Sequence, residues 1–185
     1  RTIRLPAVRD VLWKAAGFFA LFCMARAQLQ EGFSPFCAAV VSGAFVAGWP
    51  EWMALGGFLG ALSYSGWDAL FASMAALSLS LVARQITGKV LRRQVSLFTA
   101  LGCALGVLLF RLSTPYDAMM GVLSAAASVL LCRVYSSAFT LFRTVRIRRR
   151  LSDEEVISLA IAGGTALLGL LSGPALWARA FGFPL

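Results

Sequence analysis

Seven apolar runs, each bounded by charges, proline or turn formers, divide this chain almost from end to end: roughly Val11–Leu29, Pro35–Trp49, Glu51–Tyr64, Trp67–Ala83, Ser96–Phe110, Asp117–Phe142 and Val156–Trp177. A helix crossing the hydrocarbon of a bilayer needs about 20 predominantly apolar residues, and the shorter runs here complete a crossing with their polar flanks. Inside lipid every backbone N–H and C=O must be bonded within its own segment, which makes helices the expected form. The run Glu51–Tyr64 is short and rich in glycine, so a re-entrant hairpin with its neighbour is the alternative at that point. With 59% of residues apolar and a mean hydropathy of +0.80, a water-soluble fold of 185 residues would have to leave much of this material facing solvent. The expected fold is therefore all-α: a polytopic transmembrane bundle of about seven spans, forming a single domain over 1–185.

Charge fixes the expected threading. Arg1, Arg4, Arg9 and Lys14 precede or open the first run; Arg84, Lys89, Arg92 and Arg93 lie between the fourth and fifth; Arg143, Arg146, Arg148, Arg149 and Arg150 lie between the sixth and seventh. Cytoplasmic connections retain Lys and Arg, and four crossings followed by two bring all three clusters to one side. The N-terminus is then cytoplasmic, and the loops with isolated Arg26 and Arg111 are outside. The net charge of +9 does not point to nucleic acid, because the basic residues sit in short stretches between apolar runs and not along a groove with interleaved aromatics. Trp49, Trp52 and Trp67 stand near run ends, where indoles favour the membrane interface.

Few residues offer chemistry. The chain has no histidine, which removes the commonest general base and metal ligand together. Cys23, Cys37, Cys103 and Cys132 lie inside apolar runs without a C-x-x-C spacing and are expected to pack as small hydrophobes. No carboxylate cluster suits a hydrolytic metal pair, and no phosphate-binding G-x-x-x-x-G-K-[ST] occurs. The expectation is no catalytic, cofactor-binding or metal-binding residue in this chain. Lys14, Arg26 and Arg133 are the ionisable residues nearest to hydrocarbon; Lys14 and Arg26 flank the first run and are expected to snorkel to the headgroups. Arg133 is deep only if its helix continues to Phe142.

Two local patterns carry structure. Ser152 followed by Glu155 is a capping box, with Asp153 and Glu154 adding negative charge at the positive end of a helix dipole. Small residues recur at four-residue spacing, Gly56 with Gly60, Gly102 with Gly106, Ala160 with Gly164 and Gly169 with Gly173. Such pairs let helix backbones approach closely, within the bundle or between copies.

Two strings resemble one known family. GFFALFCMARAQLQEGFSPFCAAVVSGAF is similar to the opening membrane segment of stage II sporulation protein E, at Ala25, Arg26, Ala27, Pro35 and Phe36. RLSDEEVISLAIAGGTALLGL resembles a later cytoplasmic junction of that family, at Leu151, Ser152, Glu154, Glu155, Gly169 and Leu170. The resemblance implies the membrane domain of a sporulation-specific, metal-dependent serine phosphatase in the bacterial cytoplasmic membrane. Its implied setting is the asymmetric division septum, beside the cell-division machinery, where the phosphatase serves sigma-factor activation. The sequence stops after the seventh run and opens on Arg1 and not Met, so a piece of a longer protein is expected. The phosphatase and its Mn or Mg would belong to the remainder.

The expected function is thus anchoring and assembly, with the bilayer as partner and self-association through small-residue faces. The alternative is a compact transporter subunit, such as the substrate-binding component of an importer, weakened by the want of a polar pocket in mid-membrane.

Overall fold

A computed structural model describes residues 5–28, 35–89, 91–110, 113–144 and 151–171. Among them are seven α-helices and no strand: α1 (Leu5–Ala25), α2 (Phe36–Val46), α3 (Ala54–Gly60), α4 (Trp67–Thr87), α5 (Arg92–Phe110), α6 (Pro115–Thr144) and α7 (Asp153–Leu171). A 3-10 turn over Glu51–Met53 leads into α3, and a π turn over Ala61–Ser65 continues it. Each helix overlaps one of the seven apolar runs.

In length the seven are unequal. α4, α5, α6 and α7 are long and apolar enough to cross a membrane, and only 22–33% of each such stretch is buried inside the bundle. The remainder points outward and is hydrocarbon: Leu97 and Leu108 on α5, Val122 and Leu130 on α6, and Leu167 and Leu171 on α7 are all exposed. In water each such side chain would forgo about 1.5–3 kcal/mol of burial, whereas lipid removes the cost.

α2 departs from the expected span. Its 11 residues reach only about 16 Å, roughly half the hydrocarbon thickness. The physical reason lies in its surroundings. Every residue from Phe36 to Phe45 is buried, and α2 is packed by α1, α3, α4, α5 and α6. A helix apolar all round and wrapped by protein does not meet lipid, so it need not match the bilayer. α3 with its flanking turns is likewise short, and it lies against α1.

Contacts fix the directions. Phe18 and Phe22 of α1 meet Gly56 and Gly60 of α3 in ascending order, so those helices run parallel. Gly102 and Gly106 of α5 meet Ala72 and Asp68 of α4 in descending order, so those run antiparallel. Gly43 of α2 lies on Tyr135 of α6, and Ala47 lies near Arg143, again parallel. Successive helices therefore alternate in direction along the chain.

Caps stop and start the helices. Gly88 ends α4 in the left-handed region at φ +67°, its N–H bonded to the Arg84 carbonyl. Thr114 and Asp117 form a reciprocal box at the start of α6, with Thr114 N–H donating to Asp117 Oδ2 at 2.9 Å and Asp117 N–H to Thr114 Oγ1 at 3.2 Å. Pro115 occupies the first helical position, where its missing N–H costs nothing.

Buried hydroxyls are mostly spent on their own helices. Ser80 bonds Ala76 O, Thr99 bonds Val95 O, Ser128 bonds Ala125 O and Ser136 bonds Arg133 O. Between helices the notable bond joins Tyr135 and Thr165, whose hydroxyls are 2.9 Å apart across the α6–α7 contact. The four cysteines are free and buried.

Candidate functional site at the basic end of the bundle

Three sets of contacts gather the basic segments. The turn between α2 and α3 is gripped by Arg143 at the end of α6, whose Nη1 donates to the carbonyls of Ala47 and Gly48 at 3.2 Å each. Gly48 adopts φ +74°, a conformation that an L side chain resists, and a Cβ there would meet the Arg143 guanidinium at 2.6 Å. Arg84, in the last turn of α4, pairs with Glu51 and lies over the Phe45 ring at 5.1 Å. From α1, Trp13 meets Phe142 with ring centroids 6.4 Å apart, and Gly17 makes room for Trp49.

Lys14, Arg84, Arg143 and, just past the α4 cap, Lys89, Arg92 and Arg93 therefore share one end of the bundle. Lys89, Arg92 and Arg93 are exposed. Arg146, Arg148, Arg149 and Arg150 lie outside the described residues, as do Arg1, Arg4 and Arg111. α7 begins at this same end, where Ser152 N–H donates to Glu155 Oε2 at 2.9 Å and Glu155 N–H to Ser152 Oγ at 3.4 Å. Asp153 and Glu154 are exposed in that first turn.

Of the positions that carry the family resemblance, Pro35 and Phe36 are buried at the start of α2, at the opposite end of the bundle from Ser152, Glu154 and Glu155. Arg26 requires a correction. The sequence suggests that it snorkels, but it is only 6% exposed, and its guanidinium lies over Phe22 at 5.3 Å. α1 ends at Ala25, and the tight turn of Arg26 N–H onto Cys23 O folds the side chain back against the helix. Arg133 is within α6, about 15 Å from Arg143 along the helix axis, and exposed on the outer face.

The glycines divide by surroundings. A Cβ at Gly102 would lie 2.5 Å from Ala72 O, one at Gly106 2.7 Å from Asp68 O, and one at Gly56 2.6 Å from Phe18 O. Gly60 and Gly169 press on the carbonyls of Phe22 and Cys23. These five sit at close helix contacts within the bundle, whereas a Cβ at Gly164 would meet nothing within 4 Å.

Sequence reasoning missed Tyr135, Trp49 and the Arg143 grip. Trp49 is not an outward belt residue: its Nε1 donates to Phe139 O at 3.3 Å, and its ring packs on Phe139 with centroids 4.8 Å apart. Trp52 and Trp67 do stand exposed, toward opposite ends. Among the described residues no three Cys, Asp or Glu converge as a metal site.

Searches of curated proteins and of solved structures found no match. Residues 7–174 match one family, described as SpoIIE, N-terminal domain, and no phosphatase domain falls within that match.

Proposed function

The chain belongs to the SpoIIE N-terminal domain family, and from that premise we propose that it is a membrane-anchoring and assembly domain that holds the parent protein's cytoplasmic serine phosphatase at the membrane. The observation that carries this reading is the outward-facing hydrocarbon of α4 to α7, which only a bilayer accommodates without cost.

The basic end supports a cytoplasmic assignment for that face, because Lys and Arg are retained there during insertion. On this reading the N-terminus is cytoplasmic, all seven helices count as traversing, and α7 finishes outside. α2 is the short inner helix that its neighbours shield, while α3 lies against α1 with Leu55 and Leu59 turned outward. The membrane is the bacterial cytoplasmic membrane, and the domain concentrates at the asymmetric division septum with the division machinery, so that the phosphatase acts in sigma-factor activation. Catalysis and its Mn or Mg belong to the phosphatase and not to these residues. Self-association is part of the proposal, and Gly164 is the small-residue candidate that the bundle leaves uncovered.

The test is a fluorescent fusion of this chain expressed in a sporulating bacterium. It is expected to resist alkaline extraction from membranes and to gather at the asymmetric septum, while an unrelated seven-span anchor stays uniform. Uniform fluorescence from both would defeat the assembly role. Substrate uptake by vesicles holding only this chain would favour transport instead.

A further inference from the structure

An apolar cavity of about 270 Å³ lies between α1, α6 and α7. Gly17, Ala20, Met24, Trp49, Phe139 and Ala166 are among its lining residues. Its walls offer almost nothing to water: the one polar atom of Trp49 is engaged by Phe139 O, leaving the indole face as hydrocarbon. An apolar recess of that character offers water no partners and favours an apolar guest.

The shape of the gap comes from unequal partners. α6 presents Phe139 and Phe142, while α7 answers with Ala162, Gly163 and Ala166, residues too small to reach across. A Cβ added at Gly163 would meet nothing within 4 Å. Trp13 and Phe142, both half-exposed, form the rim at the basic end.

Both rim residues are followed in the chain by a cation. Arg143 follows Phe142 directly, and among the described residues its guanidinium is held by the carbonyls of Ala47 and Gly48 through Nη1. A guanidinium has five N–H donors, so among the described residues Nε and Nη2 have no partner and can meet an anion. Lys14 follows Trp13 on α1 and is exposed. Of the carboxylates at this end, Glu51 is paired with Arg84, and Glu155 is engaged in its own cap. Asp153 and Glu154 are exposed on the first turn of α7, where they favour the helix dipole.

We propose that this cavity takes one acyl chain of an anionic phospholipid, with its phosphate held at the basic end by Arg143 and Lys14. The occupant's two halves match the two halves of the site: hydrocarbon for an apolar slot, and a phosphate for cations at its mouth. The inference does not depend on what the domain anchors.

The experiment uses the full chain in detergent with phosphatidylglycerol carrying a photoactivatable diazirine in its acyl chain, followed by mapping of labelled peptides. Labelling is expected at the Ala162–Ala166 segment and at Trp49, and unlabelled phosphatidylglycerol should compete about tenfold better than phosphatidylcholine. Gly163→Leu fills the slot and should reduce this labelling about tenfold, while Arg143→Gln with Lys14→Gln should abolish the headgroup preference but keep the label. Label confined to outer positions such as Leu97 and Leu130, or unchanged by Gly163→Leu, overturns the slot. Equal competition by phosphatidylcholine overturns the anionic choice, and that comparison needs only the unsubstituted chain.

Discussion

Substituting Gly102 by alanine adds one methyl group at the tightest point between α4 and α5. The new Cβ would stand 2.5 Å from Ala72 O, 3.2 Å from Ala76 N and 3.3 Å from Ala76 Cβ. Two of those neighbours are backbone atoms and cannot rotate away. Comfortable contact needs about 3.5 Å, so the helices must separate locally by about 1 Å, and a gap of that size forfeits a quarter to a half of each van der Waals contact along the seam. Overpacking of this kind typically costs about 1–3 kcal/mol, and the middle of that range is about a 30-fold loss in the folding equilibrium. Gly164→Ala is the matched control, since its Cβ meets nothing and the better helix former should add up to about 1 kcal/mol. Reversible unfolding of both variants in bicelles separates them. Equal stability of Gly102→Ala and the unsubstituted protein would refute the close-contact argument for the α4–α5 seam.

Tyr135→Phe removes the hydroxyl that meets Thr165 across α6 and α7 and should cost about 0.6 kcal/mol in the same assay, and no more than about 1.7, the average and upper end for interhelical hydrogen bonds in membranes. Ser152→Ala deletes the cap of α7 and should cost about 1 kcal/mol, with faster amide exchange at Glu155 as its local signature. Arg84→Gln, by contrast, breaks an exposed ion pair with Glu51 and should change stability by less than about 1 kcal/mol.

The helices were legible because lipid enforces them: long apolar runs have no other way to satisfy their backbones. The capping pattern at Ser152 was legible for a similar reason, being local and chemically specific. What the sequence concealed is relational. α2 looks like a short span because hydropathy reports apolarity without saying whether lipid or protein supplies the surroundings. Arg26 lies beside the first run and suggests snorkelling, yet a turn two residues long folds it onto Phe22. Trp49 has the composition of an interfacial residue, and only the packing of Phe139 from 90 positions away draws it inward. The cavity beside it depends on aromatic residues of α6 facing small ones of α7, a pairing no spacing rule announces.

The threading requires Lys14, Arg84, Lys89 and Arg143 to share one face of the bilayer. In a variant stripped of native cysteines, single cysteines at Lys89, Arg143 and Ser113 are to be probed with a membrane-impermeant maleimide in intact and in permeabilised cells. Lys89 and Arg143 positions should react only after permeabilisation, and Ser113, at the far end of α5, should react in intact cells. Labelling of the Lys89 and Arg143 positions from opposite sides would contradict the architecture and the function drawn from it.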